Sequence, residues 1–115
     1  MKTYAILIMV VLAGFNAQAQ QKKNKNARYD IEVNGNCDQC KKRIEKAALG
    51  VSGVKMAIWD VESHRLALIV NEEKTTLDAV EQAVAKAGHD NDGYRATNAD
   101  YEALHGCCKY ERKPE

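Results

Sequence analysis

From Tyr29 onward the spacing of apolar positions changes period several times. In "YDIEV", Ile31 and Val33 alternate with Asp30 and Glu32, the period-two signature of a half-buried strand. "NGN", Asn34 to Asn36, breaks that strand. From Asp38 the spacing becomes helical: Cys40, Ile44, Ala47 and Ala48 share one stripe, while Lys41, Lys42, Arg43, Glu45 and Lys46 point elsewhere, and Gly50 marks the stop. "VKMAIWDVE" predicts a second strand with Val54, Met56 and Ile58 on its apolar face. After the turn "ESHR", the continuous apolar run "LALIVN" predicts a third strand suited to a central position. Thr75 and Asp78 have the spacing of a helix start. Leu77, Val80, Val84 and Ala87 then keep helical spacing up to Gly88.

The predicted order is therefore β-α-β-β-α. One more strand would complete a ferredoxin-like βαββαβ plan, an α+β sandwich with two helices packed on one face of a four-stranded antiparallel sheet. Two segments compete for that strand: "GYRAT", Gly93 to Thr97, and "CCKYER", Cys107 to Arg112, in which Cys108 alternates with Tyr110. The second is preferred. It makes residues 29–113 one domain, with 90–106 inserted before a last strand near 107–112. "NADYEAL" within the insertion predicts a short helix capped by Asn98. The choice has a chemical consequence. A strand starting at Cys107 begins at the sheet edge where the first helix starts, which brings Cys107 and Cys108 toward Cys37 and Cys40.

Ahead of the domain, Lys2, the apolar run Ala5 to Phe15 and Ala17-Gln18-Ala19 have the layout of a secretory signal peptide over residues 1–19, with cleavage near Ala19. The apolar run is short for a bilayer span, so no stable membrane anchor is expected after cleavage. Residues 20–28 form a basic, polar stretch without apolar periodicity, expected to be a flexible leader. The whole chain carries 17 Lys and Arg against 16 Asp and Glu; without Lys2 the two balance at 16 each, which gives no electrostatic reason to expect a nucleic-acid partner. Export leads to the periplasm or the exterior, where disulfides form.

The four cysteines carry the chemistry. Cys37 lies in the loop and Cys40 in the first helical turn, near unsatisfied backbone amides that favour thiolate. Two thiolates across such a loop suit a soft ion: Cu(I) first, with Zn(II) a competitor and Hg(II) by the same softness argument. The same C-x-x-C also suits thiol–disulfide exchange, and four cysteines permit three disulfide pairings. A bond between the adjacent Cys107 and Cys108 would be strained. The tail pair can add thiolates to the first site, form a second acceptor site, or form disulfides with Cys37 and Cys40. A closed structural zinc site is disfavoured, because the second pair lacks the usual spacing and the chain has an ordinary apolar core.

At this point the chain resembles the heavy-metal-associated domain family, whose members include soluble copper chaperones, N-terminal domains of copper-transporting ATPases and periplasmic mercury-binding proteins. The resemblance covers about Tyr29 to Asp90. It rests on the C-x-x-C entering the first helix, on "GVSGV" (Gly50 to Val54), on the strand hairpin and on "AVEQAVAKAGH". It implies metal binding through Cys37 and Cys40. His89 stands after the helix-two glycine, where the family often places Tyr, Lys or His close to the metal; there it could be a third ligand or modulate release. Gly35 stands where the family's methionine packs under the loop, which predicts a less rigid loop. Thioredoxin-like enzymes usually carry an aromatic before the first cysteine and a cis-proline opposite the pair. Here Asn36 precedes Cys37 and the one proline is Pro114.

The reading is a non-enzymatic exported carrier or sequesterer of a soft ion, with Cys37 and Cys40 as the clamp, Cys107 and Cys108 supplementing it, and His89 tuning it. It is a monomer or a metal-bridged dimer that exchanges its ion with a metal-accepting protein steered by Lys41, Lys42 and Arg43. The rivals are a thiol–disulfide oxidoreductase and a disulfide-stapled interaction domain.

Overall fold

A computed structural model describes residues 22–114. The elements are β1 (Ala27–Glu32), α1 (Asp38–Leu49), β2 (Val54–Trp59), β3 (Arg65–Val70), α2 (Leu77–Lys86), α3 (Asn98–Glu102) and a 3-10 turn (Gly106–Cys108). The strands form an antiparallel sheet in the order β1-β3-β2, with Ile31 opposite Leu66 and Tyr29 opposite Leu68. β3 is central, as its apolar run predicts, but only one of its faces is fully buried: Leu66, Leu68 and Val70 point into the core. Cys40, Ile44 and Ala48 of α1 and Val80 and Val84 of α2 close over that face in one continuous cluster.

β2 departs from its predicted face. Its pairing with β3 shifts register between Val54 and Met56. One extra residue reverses the facing of everything beyond it. Val54 still packs on the core, but Ala57 and Trp59 turn inward, whereas Ile58 is 52% exposed. The shift delivers the indole of Trp59 beneath the loop that carries Cys37.

The four-stranded sheet is corrected to three strands among the described residues. The segment 107–112 is a 3-10 turn followed by irregular chain, and "GYRAT" is not a strand either. Among the described residues, the edge of β1 meets a single antiparallel bridge, Val33 to Asn91, flanked by Asn34 N–H donating to the Asp90 carbonyl at 2.9 Å. Asn91 itself ends the pairing: its Oδ1 accepts the backbone N–H groups of Gly93 and Tyr94, both at 3.1 Å. A local Asx turn takes donors that a strand would need.

The caps also shift. Thr76, not Thr75, caps α2 by accepting Ala79 N–H at 3.2 Å, and Thr97, not Asn98, caps α3 by accepting Asp100 N–H at 3.1 Å. α2 leaves through Gly88 at φ +104°, where a Cβ would come within 2.8 Å of the Leu104 side chain. Only a glycine there lets α3 and its following residues close against the end of α2.

The expected leader is partly built into the fold. β1 begins at Ala27, paired with Val70, and Asn24 and Glu72 exchange hydrogen bonds at 2.9 Å. The expected signal peptide, residues 1–19, lies outside the described residues. Among the described residues, no helix is long and apolar enough to cross a membrane.

Candidate metal centre

The loop Asn34–Asn36 ends at Cys37, which holds extended backbone (φ −150°, ψ −178°) at the N-terminus of α1 and spends no side-chain bond on capping. Its sulfur is thus available. Cys40, one turn in, is fully buried. The two sulfurs stand 4.0 Å apart.

The C-terminal segment comes to meet them. Cys108 is fully buried, and its sulfur forms a group with those of Cys37 and Cys40 in which all three lie within 4.8 Å of one another. The backbone seals the approach: Cys37 Sγ is 3.5 Å from the Cys107 carbonyl and Cys40 Sγ is 3.7 Å from that of Cys108. Three sulfurs each ~2.3 Å from one ion in a trigonal plane would lie about 4.0 Å apart. The cluster needs only small side-chain adjustments to reach that spacing. All four cysteines are free thiols.

Cys107 stands outside the group. It is exposed, its thiol donates to Gln39 Oε1 at 3.0 Å, and its sulfur is 4.0 Å from that of Cys108. His89 is also outside the group. It is fully buried, and because a carbonyl can only accept, its Nδ1 donates to the Asn34 carbonyl at 2.8 Å. Its Nε2 is buried without a partner. Burial holds the imidazole below its ordinary pKa, outweighing the Asn34 bond that favours charge. The ring is thus a neutral strut between the end of α2 and the loop leading to Cys37.

The thiols differ electrostatically. Cys37 is held below the ordinary thiol value, chiefly by the Cys40 backbone N–H. Burial pushes Cys40 up to about 11. The thiolate therefore forms first at Cys37, the outer sulfur of the pair.

Tyr110, Arg112, Asp90 and Trp59, none of them given a role in the site by sequence reasoning, build it. Tyr110 stacks on His89 with centroids 5.7 Å apart; its hydroxyl donates to the Gly88 carbonyl and accepts Asp90 N–H, both at 2.8 Å. Arg112 forks onto Asp90 at 2.9 and 2.8 Å and lies 4.8 Å over the Tyr101 ring. Burial would raise the Asp90 carboxyl, but the bonds from Arg112 and Ala96 N–H together hold it below its usual range. Trp59 is the fourth. Its Nε1 donates to the Val33 carbonyl at 2.9 Å, and a Cβ on Gly35 would lie 3.0 Å from its Cη2 and 3.0 Å from Cys40 Cβ. The loop expected to be loosened at Gly35 is therefore filled by an indole. The sequence signals were a lone tryptophan at a strand end and a glycine two residues before the first cysteine, but only the register shift in β2 connects them.

Of the three expected steering cations, Lys41 is committed to structure: it bonds Glu45 and the Trp59 carbonyl, while Glu45 accepts Trp59 N–H at 2.9 Å. Lys42 and Arg43, with Lys46, Gln39 and His105, line an open cleft beside the tail.

Residues 31–90 match the heavy-metal-associated domain model. The chain is 32% identical over 90 residues to a mercuric transport protein periplasmic component from Shewanella putrefaciens, covering 77% of this chain and 93% of that protein. Among solved structures it is similar to the CopZ metallochaperone (TM-score 0.55, 23% identity, 56% of this chain and 98% of that one). It is also similar to oxidized MerP from Ralstonia metallidurans CH34 (TM-score 0.51, 22% identity, 57% and 96%). Both structural matches span little more than half of the chain. The identities are low enough that these two likenesses speak to the fold alone.

Proposed function

The chain belongs to the heavy-metal-associated domain family, and on that premise we propose that it is an exported carrier that holds a soft metal ion on the thiolates of Cys37, Cys40 and Cys108. The observation that carries this reading is the convergence of those three sulfurs within 4.8 Å, two of them fully buried. An all-sulfur site favours thiophilic ions. Cu(I) remains the first choice and Hg(II) the second; the periplasmic mercuric relative supports keeping the latter. Zn(II) ranks lower, since structural zinc is almost always four-coordinate and the cluster offers three ligands.

Loading proceeds by ligand exchange. Within the resident group the Cys37 thiolate bonds the ion first, and Cys40 and Cys108 then displace its remaining donors, each giving up a proton. Release is the reverse, driven by a partner's thiolate or thioether. The partner is a metal-accepting transport protein whose acidic face meets the cleft of Lys42, Arg43 and Lys46. The compartment is the periplasm, reached through the signal peptide at 1–19; the name of the relative supports this. Three sulfurs from one chain support a monomeric site without a bridging ion.

The test is competition titration of the reduced mature chain with Cu(I), Hg(II) and Zn(II), repeated with Cys37→Ser, Cys40→Ser and Cys108→Ser. The reading expects one ion per chain and a loss of affinity in all three variants. Wild-type affinity in Cys37→Ser would sink it.

A further inference from the structure

A site that buries its sulfurs must still exchange its ion. Cys40 and Cys108 are fully buried, Cys37 is half-buried, and the fourth sulfur, Cys107, is exposed. Cys107 lies outside the three-sulfur group but abuts it, with 4.0 Å between its sulfur and that of Cys108. Its thiol is parked on Gln39 Oε1 at 3.0 Å, and Gln39 lines the same open cleft as Lys42, Arg43, Lys46 and His105. Anionic metal–thiolate complexes are attracted to such a cleft. The exposed sulfur therefore sits between the cleft-lining Gln39 and the three-sulfur group, one residue from a sulfur that is fully buried.

We propose that Cys107 is an exchange ligand rather than a resident one: it takes the ion from an incoming metal–thiolate complex and passes it to Cys37, Cys40 and Cys108. This rests on the carrier reading above. The Cys107 S–H gives its proton to solvent and its sulfur bonds the ion. One thiolate of the donor leaves and takes up a proton. A resident thiol then gives up its proton as it displaces Cys107, which is reprotonated and returns to Gln39, and the other resident thiols lose their protons to solvent as they bond the ion and displace the donor's remaining thiolate, which is protonated. Each thiol that bonds the ion releases its proton, each thiolate that leaves takes one up, and no oxidation state changes. An attacking sulfur must first reach the incoming complex, and exposure is the property that separates Cys107 from the buried pair.

The experiment compares wild type with Cys107→Ser and Cys107→Ala, loaded from a Cu(I)–glutathione complex and unloaded to a chromophoric chelator in a stopped-flow instrument, with equilibrium affinity measured in parallel. Cys107 is exposed and its acceptor is a surface amide, so neither variant threatens folding. Affinity should stay near the wild-type value in both variants, while loading and unloading slow by about tenfold, a barrier change of one decade. Unchanged rates would overturn the proposal. So would a loss of affinity like that of Cys108→Ser, which would make Cys107 a resident ligand. Failure of the wild type to bind soft ions tightly would instead sink the carrier reading, so the two failures are distinguishable.

Discussion

Arg112 and Asp90 form a forked ion pair, at 2.9 and 2.8 Å, with side chains only 12% and 8% exposed. The pair fastens the C-terminal segment to the point where the chain leaves α2, and the segment so fastened carries Cys108. Its removal should therefore register in both stability and metal affinity. Arg112→Ala leaves the Asp90 carboxylate buried without its partner and should cost about 3 kcal/mol in urea denaturation, the scale of a broken buried pair. Affinity for Cu(I) should fall with it. Loss of stability without loss of affinity would mean that Cys108 does not need the latch.

The same pair sets an acid limit. The folded-state pKa of Asp90 is depressed, so the unfolded chain binds the proton more readily. Its contribution is complete above the unfolded carboxyl value, about 3.9, and is lost as pH falls through the lower folded value. Thermal melts of wild type and Asp90→Asn should differ most near neutrality and converge in acid. A constant difference would contradict this.

His89 predicts a second pH dependence at milder values. Burial depresses its pKa, so stability should begin to fall as pH drops below the unfolded value of about 6.5. His89→Gln should remove that part of the slope. If the ring is a strut rather than a ligand, the variant should also retain more metal affinity than Cys108→Ser, as competition titration would show.

Gly35 and Trp59 should be interdependent. A Cβ at Gly35 would press on both Cys40 Cβ and the indole, so Gly35→Ala should cost about 1–3 kcal/mol as overpacking. Trp59→Phe should relieve part of that cost in the double variant while losing the bond to Val33. Denaturation of the two single variants and the double variant measures the coupling. Strict additivity would contradict the contact.

The elements from Tyr29 to Gly88 were legible because each carries enough residues for its period to show. What was not legible depends on events without a period. The extra residue between Val54 and Met56 exchanged Ile58 for Trp59 in the core, and nothing in "VKMAIW" marks it. A fourth strand is expected to complete the βαββαβ plan, and 107–112 is preferred for it partly because Cys108 and Tyr110 alternate. They do so for another reason: Cys108 turns toward the other sulfurs while Tyr110 inserts its hydroxyl between Gly88 and Asp90. The approach of the tail to the first cysteine pair was anticipated through a strand edge. It is achieved by a 3-10 turn, an aromatic stack and a forked ion pair, all tertiary contacts that local patterns do not encode. At Gly35 the sequence showed a missing methionine but not the indole that fills its space.

The central claim is that the C-terminal segment supplies the third sulfur. X-ray absorption at the metal edge of the Cu(I)-loaded protein counts those sulfurs directly. The account predicts about three sulfur neighbours in wild type and in Cys107→Ser, and about two in Cys108→Ser, at distances near the ~2.3 Å typical of metal–thiolate bonds. Two sulfurs in the wild type, unchanged by Cys108→Ser, would contradict it.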